Sequence, residues 1–447
     1  MLRSRILASA ASFLVLTNCS WNPVADVVGG GGSSSAAPTI GLVVGDEPYA
    51  VKAGAAVLAQ GGTAADAVTA IYFTLAVTYP VAAGLGGGGV CVVHDPATKA
   101  NDAFVFLARD SSGGGAYAVP SNVRGFAALQ TAYGTLPWQR DVASGEGYAA
   151  TGFPISAALQ TRVASAVDVV RLDASLASEF LDENGQVKPA GTVVKNTALG
   201  ETLSAVRTGG WQGFYKSAVA QKLASYASAQ NGGISYAELA AISTTRESAN
   251  MTPAGNVTAY LPPHRIGAGA FASTLLPRLM ANAGNPGEAT KETLDGFGIK
   301  SLPRDLGSTG FAAIDAAGQA VACSVTMNGP FGSGRTAADT GVTLARAPSS
   351  GDAGYSAAFL TPVIATSGSD QTVAMAGAGA GGPLGTAAVL HALLKAGHGE
   401  ALAQRGDLRS TGLAPYDTVN VIVCQGGGCT PLSDPGMNGL GAAANAN

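Results

Sequence analysis

Two alternating runs joined by a short turn constrain this chain more than any other segment. They lie within Gly307–Gly334, which reads GSTGFAAIDAAGQAVACSVTMNGPFGSG. The hydroxyl pair Ser308 and Thr309 opens a first run that ends at Asp315, and Ala316–Gln319 supplies a turn containing Gly318. A second run, Ala320–Met327, returns Thr326 and Asn328 toward the start. Such a pattern predicts a β-hairpin, with the head of one strand beside the tail of the next. A nucleophile at that head would lie beside polar groups, which suits a residue that becomes a new N-terminus after the chain cuts itself.

Other segments set the surroundings. Ala53–Gln60 reads as a short helix stopped by Gly61 and Gly62. Thr63 and Asp66 form a capping box for a second helix that runs to about Val77 and ends at Tyr79-Pro80. For Asp66 the cap outweighs an active-site role. Gly84–Gly89 turns the chain into a strand at Val90–His94. From Ser121 to about Ala281 the pattern is mainly helical, with apolar spacing over Ala158–Leu172, Leu199–Thr208, Tyr215–Ser228 and Ala270–Ala281. Strands then dominate: Phe311–Ile314, Val321–Met327, Gly341–Leu344, Val363–Thr366, Val373–Ala376 and Val419–Cys424, interrupted by a helix at Thr386–Ala396. Helices before and after a largely antiparallel core predict an α+β fold. The small, polar tail Asn438–Asn447 is expected to be disordered.

The hairpin resembles that of the gamma-glutamyltransferase family of N-terminal nucleophile hydrolases. The family's motif spacing is kept at Asp315, Gly318, Ala320, Val321, Thr326, Asn328, Phe331, Gly332 and Gly334. Further blocks resemble the family in order. The first is AGAAVLAQGGTAADAVTAIYFTLAVTYPVAAGLGGGG at Ala53–Gly89, followed by VPSNVRGFAALQTAYGTLPW at Val119–Trp138 and TGFPIS at Thr151–Ser156. NTALGETLSAVRTGGWQGFY lies at Asn196–Tyr215, NGGISYAELA at Asn231–Ala240, LPPHRIGAGAF at Leu261–Phe271 and GAGAGGPLGT at Gly377–Thr386. Ordered blocks carry far more weight than one glycine string.

The resemblance implies a four-layer αββα sandwich built by a large-subunit-like part, 39–307, and a small-subunit-like part, 308–447, of one domain. It implies self-cleavage before Ser308, which aligns with the family nucleophile, usually Thr. Ser keeps the oxygen but lacks the methyl that stiffens the side chain. A one-residue shift would make Thr309 the nucleophile, but that residue points to the other face of the strand. A free α-amine, with a pKa of about 7.7–8.0 in peptides, then serves as the base. Thr326 and Asn328 match residues that orient the nucleophile, and Gly381 and Gly382 match the oxyanion-hole glycines. Arg109 is the nearest candidate for the substrate carboxylate.

Departures also stand out. Gly310 replaces a His, Ala345 and Arg346 replace amides, and Ser349 and Ser350 replace acids. No carboxylate remains there for a substrate ammonium unless Asp352 loops back. Arg346 reads either as a surface charge or as a cation that would welcome an anion. The function implied is an autoprocessing amidohydrolase or acyltransferase. It would take a small-molecule amide as donor and water or an amine as acceptor, without strict gamma-glutamyl specificity. The alternative is a non-catalytic relative serving as an exported binding or envelope protein. Fragment masses separate the two readings.

Charged residues make up 12% of the chain and the net charge is −4, so no basic stripe supports nucleic-acid binding. Residues 1–19 read as a signal peptide, with Arg3 and Arg5 before the apolar run Ile6–Thr17. Cys19 ends a lipoprotein-like box, with ordinary cleavage near Asn18–Ala25 as the other reading. A flexible linker, 20–38, follows. A periplasmic or otherwise exported location is expected. Cys424 and Cys429 flank a short turn and could close a disulfide, whereas Cys91 and Cys323 read as small buried hydrophobes. His94, His264, His391 and His398 are scattered, and neither metal nor cofactor is expected.

Overall fold

The hairpin forms as its alternation predicts. In the computed structural model, which describes residues 39–282, 285–402, 404–409 and 415–445, Ser308–Asp315 and Ala320–Thr326 pair antiparallel. Ser308 lies opposite Thr326 and Ile314 opposite Ala320. Asp315 Oδ1 closes the turn by accepting from the N–H groups of Ala317 and Gln319. The same turn reaches a helix far upstream. Asp315 Oδ2 accepts from Ala64 N and Gln319 Oε1 from Ala65 N, so the hairpin caps the N-terminus of the buried helix Ala64–Thr78. Thr63 and Asp66 complete the expected capping box. Asp66 also accepts from the N–H groups of Thr135 and Leu136, which confirms its structural use.

The hairpin is central to a seven-stranded sheet. The order is Leu440–Asn445, Thr39–Gly45, Ser308–Asp315, Ala320–Thr326, Gly88–Asp95, Ala100–Phe106 and Thr245–Ser248, with each neighbour antiparallel. A six-stranded sheet packs on it, ordered Gly428–Leu432, Thr418–Gln425, Thr372–Ala380, Thr361–Ser367, Val257–Leu261 and Asn250–Ala254. Alternate residues face the gap between sheets: Val44, Ala312 and Ala322 from the first meet Ile364, Ala376 and Ile422 from the second. Small side chains bring the sheets close at one point, where a Cβ on Gly310 would stand 2.7 Å from the Ala378 Cβ. A His there, as in the family pattern, would not fit without movement.

The outward faces are covered by helices. Val43, Phe311, Val321 and Cys323 pack under Ala64–Thr78 and its neighbours. Val363, Met375 and Val421 pack under Gly267–Ala281 and Pro383–His398. Fully burying one such aliphatic or aromatic side chain is worth about 1.5–3 kcal/mol. Helices, sheet, sheet and helices make the four-layer αββα sandwich of an α+β fold.

Four expectations change. The tail is ordered over its described part: Leu440–Asn445 is an edge strand pairing with Thr39–Gly45. Strand pairing uses backbone groups, so small residues suffice, and Gly441 passes so close to Pro431 that a Cβ would lie 2.7 Å from its carbonyl oxygen. The mainly helical middle also contains Thr245–Ser248 and the hairpin Asn250–Ala254 with Val257–Leu261. Gly255-Asn256 was the missed turn signal. Gly341–Leu344 shortens to Val342–Thr343. Finally, Cys91 and Cys323 form a disulfide, because strand register sets them directly opposite. The second disulfide, Cys424–Cys429, forms as the spacing suggested. The signal-peptide, Cys19 and linker readings lie outside the described residues.

Candidate active site

Gly307 and Ser308 stand where the first hairpin strand begins. Gly307 has φ +62°, and a Cβ there would lie 2.0 Å from the Gly329 carbonyl oxygen, so no other residue fits. Its carbonyl accepts from Met327 N at 2.9 Å and from Thr326 Oγ1 at 3.1 Å. Its N–H donates to Asp305 Oδ1 at 2.8 Å. The Ser308 hydroxyl is buried and, among the described residues, makes only a long contact, 3.5 Å, to the Leu306 carbonyl. That carbonyl is better satisfied by Ser356 Oγ at 3.0 Å. A weakly engaged hydroxyl thus adjoins a carbonyl already polarised by two donors.

Thr309 is different. Period-2 geometry turns it to the opposite face of the strand from Ser308. Its Oγ1 donates to Asp46 Oδ2 at 2.7 Å. Asp46 Oδ1 in turn accepts from Thr418 Oγ1 at 2.5 Å and Asn420 Nδ2 at 2.8 Å. The network ties Thr309 between the two sheets' ends and commits its hydroxyl.

Asn328 completes the tail of the hairpin. It adopts φ +59°, and its N–H donates to Thr326 Oγ1 at 2.9 Å. Its side-chain Nδ2 donates to the Arg346 carbonyl at 2.8 Å. Thr326 therefore reaches the Gly307 carbonyl and Asn328 is joined to it through Thr326 Oγ1, while the Asn328 amide anchors the segment carrying Arg346. Gly381 and Gly382 follow the strand Thr372–Ala380 and precede the helix Pro383–His398. That strand crosses the hairpin near Gly310, where Ser324 Oγ donates to the Gly379 carbonyl at 3.1 Å. The glycines lie just past the crossing. A Cβ on Gly381 would lie 2.0 Å from the Tyr416 carbonyl oxygen, so close packing demands that glycine, and one on Gly382 would crowd the Asp417 carboxylate, 2.2 Å from Oδ1.

Arg109 stands apart from this cluster. It is half exposed and turned to Glu238 at 3.6 Å and the Asp110 carbonyl at 3.3 Å. Its neighbour Asp110 accepts from Ser349 N and Oγ, at 3.0 and 2.8 Å, so the Arg109 strand borders the Ala345–Ser349 segment. Arg346 is half-buried rather than a free surface charge. Asp352 does loop back, but onto Arg346, pairing at 3.0 Å. The Arg346 side chain runs past Gly329, where an added Cβ would lie 3.2 Å from Arg346 Cδ.

Sequence reasoning missed Asp46, Asp305, Ser356 and Arg162. Arg162 is fully buried and pairs with Asp305 at 2.8 Å. Burial opposes its charge, but Asp305, Tyr79 and Asp46 more than offset this and hold its pKa above the ordinary arginine value. Only Asp305, three residues before Ser308, had a signal in its position. Among the described residues no group of three His, Cys, Asp or Glu side chains is placed to hold a metal.

Comparison with known proteins adds an independent line. Residues 50–283 match the family model for gamma-glutamyltranspeptidase. Glutathione hydrolase 2 of Arabidopsis thaliana is 32% identical over 200 residues, which cover 41% of this chain and 34% of that protein. The glutathione hydrolase proenzyme of Pseudomonas aeruginosa is 31% identical over 229 residues, covering 46% and 40%. The chain thus spans about a third to two-fifths of the length of these curated relatives. Among solved structures, a cephalosporin acylase from Bacillus halodurans superposes with a TM-score of 0.72 at 15% identity, over 95% of this chain and 99% of that one. At that identity the likeness speaks for a shared fold.

Proposed function

The chain belongs to the gamma-glutamyltranspeptidase family, and from this premise we propose that it is a self-cleaving N-terminal nucleophile amidohydrolase or acyltransferase. The observation that carries the proposal is the Gly307 carbonyl, held by Met327 N and Thr326 Oγ1 beside the Ser308 hydroxyl. Donors aimed at a carbonyl that becomes an oxyanion are worth roughly 2.7–4 kcal/mol each. Ser308 Oγ attacks that carbon, the carbon–nitrogen bond breaks, and the hydroxyl proton ends on the released amine. Water then hydrolyses the ester to a Gly307 carboxylate and a free Ser308.

The freed α-amine of Ser308 then acts as base for its own hydroxyl. An acyl donor amide forms an ester on Ser308, releasing its amine, and water or a second amine takes the acyl group. Gly381 and Gly382 are proposed to offer backbone N–H groups to the developing oxyanion, with Thr326 and Asn328 positioning the nucleophile. Arg109 is the nearest candidate for a ligand to a substrate carboxylate. Among the described residues the Arg346–Asp352 pair leaves no unengaged acid at the position where a glutamyl ammonium would need one, which supports a wider range of acyl donors than gamma-glutamyl compounds. Export, with or without lipid attachment at Cys19, is part of the same proposal.

The test is direct. Purified full-length protein is reduced and its fragment masses are measured. Two fragments meeting at Gly307/Ser308, with turnover of an acyl anilide from a panel of gamma-glutamyl, glutaryl and simple acyl compounds, are expected. A chain that stays intact and inactive would leave the non-catalytic binding role.

A further inference from the structure

The bond to be cut is gripped from both sides, and the grip on its upstream side has no role in the account above. Gly307 N–H donates to Asp305 Oδ1, and Arg162 Nη2 reaches that same oxygen, each at 2.8 Å. Arg162 comes from the helix Ala157–Ser165, 143 residues away from Asp305 in sequence. Its Nη1 donates to Tyr79 OH at 3.4 Å, and the rings of Tyr79 and Tyr416 lie 5.6 and 5.7 Å from the guanidinium carbon.

The pair is poorly built as a source of stability. Arg162 Nε and Asp305 Oδ2 are buried without a hydrogen-bond partner among the described residues. Removing charges from water costs several kcal/mol per ion, and an ion pair offsets this only when its remaining polar atoms are satisfied. What the pair does achieve is positional. Between Asp305 on one side and Met327 N with Thr326 Oγ1 on the other, both backbone polar groups of Gly307 are held, and its left-handed conformation is held with them.

We infer that Arg162 and Asp305 are positioning residues for self-cleavage. The buried cation fixes the Asp305 carboxylate, the carboxylate fixes the Gly307 N–H, and the Gly307 carbonyl carbon is thereby presented to Ser308 Oγ. The inference rests on the self-cleaving reading of Ser308. Asp305 makes no covalent bond and takes no proton. The oxygen–carbon bond forms from Ser308, the Gly307–Ser308 carbon–nitrogen bond breaks, and the hydroxyl proton passes to the leaving nitrogen. Misplacing reacting atoms by about an ångström can cost ~10²-fold in rate, so a grip adjoining the scissile carbonyl has ample leverage.

The experiment follows cutting of the full-length chain over time, by mass after reduction, with melting temperature and near-ultraviolet circular dichroism recorded for each variant. Asp305→Leu keeps the approximate shape but removes the acceptor, and is expected to slow cutting about tenfold or more. Asp305→Asn keeps an acceptor for the Gly307 N–H and should restore much of that loss at a similar melting temperature, which a merely structural role would not produce. Arg162→Met should also slow cutting. The Asp305→Leu/Arg162→Met double variant should be no slower than the slower single, since both act through one contact. Folded Asp305→Leu cutting at the wild-type rate overturns the inference. If that variant fails to fold, Arg162→Met decides: a wild-type rate in that folded variant overturns it. A wild-type chain that never cuts instead sinks the Ser308 reading, a separate result.

Discussion

Cys91 and Cys323 lie directly opposite each other in adjacent strands and are joined by a disulfide. Cys91 precedes the Gly307–Ser308 bond and Cys323 follows it, so a cut there yields two chains that remain covalently tied. The expectation of two buried hydrophobes was right about their burial but missed the bond. We predict one species of full mass on a denaturing gel without reductant and two with it. Cys323→Ala should release two species without reductant and lose about 2–4 kcal/mol of stability. Alkylation of Cys91 and Cys323 in the unfolded, unreduced protein would refute the pairing.

The two hydroxyls should separate cleanly. Ser308→Ala is expected to stay uncut and inactive. Thr309→Ala should still cut, but it leaves Asp46 short of a donor and should lose about 1–3 kcal/mol in urea denaturation. The reverse pattern, cutting in Ser308→Ala and none in Thr309→Ala, would make Thr309 the nucleophile.

Thr326 can be tested without altering shape. Thr326→Val removes the donor to the Gly307 carbonyl and the acceptor for Asn328 N. Cutting should slow by about 10²–10³-fold, and Thr326→Ser should recover much of it. A time course of fragment masses checks this; unchanged cutting in folded Thr326→Val would remove Thr326 from the machinery.

Stability should fall as pH rises. Burial pushes the Glu47 carboxyl up to about 7, against hydrogen bonds from Ala50 N and Thr78 Oγ1. Burial, aided by Asp66, pushes Asp141 up to about 9. Each folded-state value lies above the unfolded one, so the folded chain holds protons that the unfolded chain has released. Stability contributed by the neutral forms is complete below the unfolded values and is lost as pH climbs through the folded ones. Urea denaturation should give greater stability near about pH 5 than near about pH 8, and Glu47→Gln should flatten the slope between about pH 5 and 7 by up to about 3 kcal/mol. An identical slope in that variant would contradict the assignment.

The candidate site was legible in part. The turn Ala316–Gln319 and the alternation around it named Ser308, Thr326 and Asn328 together, because a hairpin brings near neighbours in sequence into contact. Asn250–Leu261 was misread because its short strands imitate loop, and only the Gly255-Asn256 turn marks them. Asp352 illustrates a different gap. Its position invited pairing with a substrate ammonium, yet the fold pairs it with Arg346.

Local order was enough to write the hairpin, the Thr63–Asp66 cap and the helices of the two outer layers, since strand alternation, capping and helical spacing act over a few residues. Packing over long separations settled the rest: that Thr309 is spent on Asp46, that Cys91 meets Cys323, and that Arg162 reaches Asp305. Such contacts join segments more than a hundred residues apart, so no short-range pattern encodes them. They exist only once two sheets and their helices have closed around Gly307 and Ser308.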